Sequence, residues 1–400
     1  MRTPFRSTRG LLSRELTLLF LVDFIMSLGM NLTDSLRVLF IQSLGATVFQ
    51  ISLVVSTTGM AGTLLRVPSG IFSDRYGRRE IVVASILMSV SPPLLYTLSR
   101  GWEQLIPWGI VYSAAFALYM PSRMAIVADF TTVENRTKVY SMMGIAWPLG
   151  GMIGPTIAGF LQSTHGWNVV FYVASVFFVV CLVPSLLLPK TPRRKPDSEE
   201  SHVEGDSNLG LAFVRPLLAF IALNLFMGLG IGTTNNITPI YLAERFNVST
   251  ADVGLFISVG FGLTTILCQI PGGILAERFG RKRFIAVCLA LEPFLFIAWT
   301  FVNNPLVLLL VQMGVNALWS MTWPSTMSLL MDCAPGSKRG VTSGFTQMGV
   351  MLGFTVGPTV GGYLWETMGM ASPYFASALF FVLCLPIVPL IARGRILPSK

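Results

Sequence analysis

Apolar residues in this chain neither alternate nor recur at amphipathic spacing. They form twelve runs, near 16–41, 47–72, 81–99, 104–128, 139–163 and 168–189, then 212–241, 252–276, 284–302, 306–331, 341–365 and 371–392. A helix needs about 20 apolar residues to cross the hydrocarbon of a bilayer, and each run supplies about that many or more. The one long polar stretch, Lys190 to Gly210, separates the sixth run from the seventh and contains Thr-Pro-Arg-Arg-Lys-Pro-Asp-Ser-Glu-Glu, the composition of a linker. The pattern predicts an all-α integral membrane fold of twelve transmembrane helices: a six-helix bundle in 1–189, a linker at 190–210 and a second six-helix bundle in 211–400.

Charge sets the orientation of these spans. Arg100 and Arg245 lie in loops on one side, and Arg37, Arg66, Arg123 and Arg215 fall within or at the edges of runs. The rest of the 28 Lys and Arg gather on the other side, which the positive-inside rule makes cytoplasmic. Both termini and the linker are therefore expected in the cytoplasm of a cell-membrane protein. Arg2, Arg6, Arg9 and Arg14 precede the first run as in a signal peptide, but the run is longer and has no A-x-A site, so it is expected to stay as the first span. The net charge of +9 reflects these loop clusters and not a nucleic-acid surface.

Composition narrows the function classes further. The chain is 53% hydrophobic and 12% charged, with mean hydropathy +0.68, whereas soluble domains carry about 25% charged residues. Twelve spans leave no length for a sizeable catalytic domain outside the bilayer, so an enzyme is not expected. Cys181, Cys268, Cys288, Cys333 and Cys384 form no CxxC and mostly sit in apolar runs, which points to neither disulfides nor a metal. No phosphate-binding G-x-x-x-x-G-K-[ST] occurs, and no cofactor is implied.

An offset of 203 residues aligns the two halves without a gap. It pairs Pro68 with Pro271, Gly77 with Gly280, Pro121 with Pro324, Asp129 with Asp332, Arg136 with Arg339 and Pro155 with Pro358. Six spans is an even number, so the second half enters from the same side. The repeats are parallel, about an axis along the membrane normal.

Two motifs make the chain resemble the major facilitator superfamily over essentially its whole length. After the second span it reads Gly70-Ile-Phe-Ser-Asp74-Arg75-Tyr-Gly77-Arg78-Arg79, and in the second copy Gly273-Ile-Leu-Ala-Glu277-Arg278-Phe-Gly280-Arg281-Lys282. The resemblance implies a cytoplasmic latch of Asp74, Arg78 and Asp129, with Asp332 at the repeat position of Asp129. Span 5 carries Gly150, Gly154, Pro155 and Gly159, and span 11 carries Gly353, Gly357, Pro358, Gly361 and Gly362. This is similar to the family's antiporter motif and implies export. Small residues at that spacing let backbones approach closely, so the motif is expected to shape the contact between halves. The family's drug exporters usually carry an arginine twelve residues before the proline of span 4. Here that place is Gly109, and Arg123 follows the proline instead.

Ionisable groups within spans cost roughly 2.5 to 3.5 kcal/mol on insertion scales, so each is a functional candidate. Asp23, Ser27, Asn31, Asp34 and Arg37 fall on one stripe of the first span roughly 120° wide. Asp34 is the expected proton carrier, with Asp23 in reserve because Arg66 and Arg123 lie at its depth. Tyr112, Phe116, Tyr119 and Arg123 share a face of span 4, and Gln312, Asn316, Trp319 and Trp323 a face of span 10. With Asn224 and Asn235 of span 7 they are the expected lining of a solute cavity. Glu292, in the peripheral span 9, reads as structural, and His165 and His202 as solvated.

The expected function is secondary transport of a small amphipathic organic solute by alternating access, as proton-coupled export by a monomer whose partners are solute, protons and lipid bilayer, with no nucleic acid. Uptake symport of an organic anion or sugar is the alternative within the class, favoured by exposed, unpaired Arg66 and Arg123. A non-transporting membrane sensor or scaffold is the alternative outside it.

Overall fold

Inside hydrocarbon no water satisfies the backbone, so a crossing chain closes its hydrogen bonds within each segment as helix. The computed structural model describes residues 13–131, 136–190, 211–333 and 339–391, which form helices joined by short turns, with no strand among the described residues. The first half carries α1 (Arg14–Asp34), α2 (Arg37–Ser43), α3 (Val48–Tyr76), α4 (Arg78–Thr97), α5 (Leu105–Asp129), α6 (Arg136–Met143), α7 (Ala146–His165) and α8 (Trp167–Leu186). The second carries α9 (Leu211–Asn235), α10 (Thr238–Phe246), α11 (Thr250–Ile257), α12 (Thr264–Phe279), α13 (Arg281–Phe301), α14 (Pro305–Cys333), α15 (Arg339–Met368) and α16 (Ser372–Cys384). The expected linker beyond Lys190, with His202, lies outside the described residues.

The halves repeat each other's irregularities. The first span breaks between α1 and α2, and its counterpart breaks between α9 and α10. The turn from α3 to α4 is made by Gly77 at φ 103°, and that from α12 to α13 by Gly280 at φ 86°, conformations that favour glycine. One feature is not repeated. A π-helical turn, Ser258–Leu263, joins α11 to α12, whereas the equivalent α3 runs unbroken.

Ten segments of the described residues are long and apolar enough to cross a membrane. The two further spans expected from the runs are built on α7 and α15, helices of 20 and 30 residues whose glycines dilute their hydropathy. Those glycines serve packing. A Cβ on Gly154 would stand 2.7 Å from Asn31 Cβ of α1, and one on Gly353 or Gly357 would stand 2.5 or 2.7 Å from the Gly228 or Gly232 carbonyl carbon of α9. Gly150 likewise faces Ser27, and Gly361 faces Thr233 and Ile237. The expectation that the whole motif shapes the contact between halves is corrected here. Most of its glycines clamp α7 and α15 to the first helix of their own half, while Gly159, Gly362 and the Pro155 carbonyl meet the other half, at Ala251, Phe49 and Gly254.

The halves meet where α3 packs on α15, where α7 packs on α11 and the π turn, and where α2 approaches α10. Thr359 donates to Ser56 (2.7 Å), the Phe49 N–H to Glu366 (2.8 Å), Thr156 to Ser258 (2.8 Å) and Gln42 to Glu244 (2.6 Å). Most of these bonds lie toward the end of the bundle opposite the start of α1, the far end, which they hold together.

Candidate functional site

At mid-depth between the halves lie two adjoining chambers of about 310 and 530 Å³ that share Asn31, Asp34, Arg37 and Asn235. The breaks in the two first spans bring these residues together. Asp34 ends α1 and Arg37 begins α2, while Asn235 ends α9, so the broken helix ends of both halves border one space. Irregular backbone at membrane depth is tolerated where it lines such a cavity. Asp34 and Arg37 form an ion pair of 3.0 Å, with the aspartate side chain 40% exposed to the cavity and the arginine 13%.

The smaller chamber is further lined by Thr234, Asn236, Gln312 and Asn316, with the rings of Phe256, Phe261, Trp299 and Tyr374. Asn316 reaches across to the π turn and donates to the Gly260 carbonyl at 2.7 Å. The larger chamber is lined by Arg66, Thr63 and Thr355 and by Tyr112, Phe116, Trp147 and Phe354. Phe116 and Trp147 tilt against each other with ring centroids 5.5 Å apart. Both chambers are thus apolar walls set with a few amides and hydroxyls, the Asp34 carboxylate and the guanidiniums of Arg37 and, in the larger chamber, Arg66, the make-up of a site for an organic solute.

Several expected lining residues are elsewhere. Asp23 is fully buried inside the first half, 2.6 Å from Arg123 Nε and accepting from the Tyr119 hydroxyl at 2.5 Å; Arg123 also donates to the Met143 carbonyl at 3.1 Å. A bare carboxylate in that interior would be expensive, so Arg123 and Tyr119 turn to it and away from the cavity. Of the span 4 stripe only Tyr112 and Phe116 line the site. Asn224 is buried within the second half and donates to its own helix at Phe220 (2.8 Å). Trp319 and Trp323 stack on each other (5.8 Å), and Trp319 meets Phe354 edge-on, so they stand behind the wall and not in it. Trp147, Thr63, Phe354 and Tyr374 line the site without having been singled out. Trp147 carried a readable signal, an aromatic one turn before the glycine motif of span 5.

At the other expected site, Arg78 pairs with Asp129 and donates to the Ala125 carbonyl at 3.0 Å, fastening the start of α4 to the end of α5. Gly70 and Asp74 stand in the last turns of α3, and their side-chain surroundings, like those of Asp332, lie outside the described residues. Arg75 is exposed beside the Tyr76 ring. In the second copy Glu277 and Arg281 form a local pair of 3.8 Å, and Arg278 lies over Phe279. Glu292 is buried within the second half.

The Major Facilitator Superfamily profile matches residues 19–234 and 220–398. Multidrug resistance protein 1 of Bacillus subtilis (strain 168) is 25% identical over 368 residues, covering 90% of this chain and 92% of that protein. Quinolone resistance protein NorA of Staphylococcus aureus (strain MSSA476) is 22% identical over 370 residues, covering 91% and 93%. Among solved structures, the nucleoside transporter NupG superposes with a TM-score of 0.80 at 13% identity, over 95% of this chain and 100% of that one. A bacterial homolog to the human lysosomal transporter Spinster, inward-facing and occupied, gives 0.79 at 14% identity, over 95% and 97%. With its two halves matched in turn and the twelve-span fold shared, the chain belongs to the Major Facilitator Superfamily.

Proposed function

We propose that the protein is a secondary active exporter that moves a small amphipathic organic solute by alternating access of the two halves, coupled to protons. The observation that carries this reading is the mid-depth cavity, amphipathic and bordered by the broken first helices of both halves. The likeness to proteins named for multidrug and quinolone resistance supports the outward direction. A proton crossing 100 mV supplies about 2.3 kcal/mol, enough to sustain roughly a 50-fold gradient of a neutral solute. The end at which α1 begins is the cytoplasmic one, with the bundles at 1–189 and 211–400, the linker between them inside, and the protein acting as a monomer in the cell membrane.

Within this reading Asp34 carries the proton, because it alone of the two aspartates of α1 borders the cavity. A carboxyl that alternates between wet and shielded surroundings takes up and releases a proton. Asp23, clasped by Arg123 and Tyr119, is a structural anchor. That clasp also weighs against the uptake reading, which calls for Arg123 unpaired. Asp74, Arg78 and Asp129 form the cytoplasmic latch. The test is flux in proteoliposomes with an imposed proton gradient and a panel of cationic, neutral and anionic solutes. Accumulation that follows the gradient supports export by antiport; no gradient-dependent flux of any solute overturns it.

A further inference from the structure

Arg66 is a charged cavity residue to which the proposed cycle gives no task. It lies at mid-membrane on α3, two residues before Pro68, and borders the larger chamber. Its guanidinium donates to the Met351 sulfur at 3.1 Å, a weak acceptor, and no carboxylate of the described residues comes within ion-pair distance of it. The other charges at the cavity, Asp34 and Arg37, face each other at 3.0 Å and cancel. A guanidinium does not shed its proton in a protein, so Arg66 gives the cavity one permanent positive charge without a counter-charge among the described residues.

From this we propose, on the footing of the transporter reading, that the solute is an anionic amphiphile whose carboxylate or equivalent acid group pairs with Arg66. Its aromatic or apolar body lies along Phe116, Trp147 and Phe354, which line the same chamber. The choice between anion and cation follows from what each must displace. An anion takes the place of a thioether sulfur at Arg66 and gains a charge-assisted, bidentate hydrogen bond. A cation has only Asp34 to turn to, and the negative charge it meets there is already offset by Arg37 at 3.0 Å. Asp23 offers no second choice, being fully buried and already clasped.

The test is equilibrium binding to the purified full-length protein in detergent, read by tryptophan quenching, with three probes of one shape: 2-naphthoate, 2-naphthamide and 2-naphthylmethylammonium. Naphthoate should bind at least tenfold more tightly than either of the others. In Arg66→Gln the naphthoate-to-naphthamide preference should fall to near one, and Arg66→Lys should keep part of it. Met351→Leu, which removes the competing acceptor, should raise the preference. If Arg66→Gln does not fold, the ranking of the three probes on the parent and the direction of the Met351→Leu change decide the matter. The assignment is overturned by a preference for the cation, by no preference, or by a preference that survives in Arg66→Gln. Flux of the same probes in proteoliposomes separates the two readings. Arg66-dependent anion binding without flux upholds the anion site and overturns transport, while flux of naphthamide or the cation without anion preference does the reverse.

Discussion

Asp23 and Asp34 share one helix and one stripe, yet their surroundings differ in kind. Asp23 has Arg123 and Tyr119 around one carboxylate oxygen and no exposure; Asp34 has a neighbour one turn away and an open cavity in front. Asp34→Asn is therefore expected to abolish proton-driven flux in vesicles while energy-independent solute exchange continues; retained gradient-driven flux would remove Asp34 from the coupling. Asp23→Asn leaves Arg123 buried without its counter-charge, a loss of about 3 to 5 kcal/mol. It should lower the melting temperature in detergent and reduce driven flux and exchange together. An unchanged melting temperature would deny the anchor role. Helical periodicity made the polar stripe legible, because it fixes the angle at which a side chain leaves the helix. It says nothing of what stands opposite. Asp23 meets α5, Ser27 meets the Trp147 carbonyl of α7, and Asp34 meets the cavity, three neighbours assigned by tertiary packing alone.

Between elements, the same limit appears in the glycine-rich helices. The spacing of Gly353, Gly357 and Gly361 announces a close approach, but only the structure names α9 as the partner. The turn motif was read more fully, since Gly77 and Gly280 adopt the backbone that only the missing Cβ makes easy. The Arg78–Asp129 pair ties two helix ends of one half at the rim. Asp129→Asn removes that tie without touching the cavity, so it should lower flux several-fold while solute affinity changes by less than twofold. Parent-like flux from the variant would show that the tie has no part in the cycle.

For the molecule as a whole, the 203-residue register made the paired architecture legible, because a duplicated unit must fold the same way twice. The relative setting of the halves was not legible, since many of the groups at their contact are glycines, hydroxyls and backbone groups that carry little sequence signal. This separates two classes of glycine variant. Gly353→Val pushes α15 from α9 within one half and should cost about 1 to 3 kcal/mol, lowering the melting temperature by several degrees. Gly159→Val instead wedges α7 from Ala251 in the other half. It should lengthen the distance between spin labels at positions 165 and 247 with little loss of melting temperature, and an unmoved distance would contradict the far-end contact.

The π turn in the second half has a mechanical consequence. A π turn holds more residues than the α turn it replaces, and each residue in an α-helix advances about 100° about the axis. Relaxing Ser258–Leu263 to plain α would swivel α12 against α11 by about that angle, carrying Thr264 and Cys268 to a new face. One pin against that swivel is the Asn316 amide on the Gly260 carbonyl, another is Thr156 on Ser258, and Asn316 also lines the smaller chamber. A solute that takes the amide for itself draws the first pin, so occupancy of the chamber bears on the rotary setting of this span.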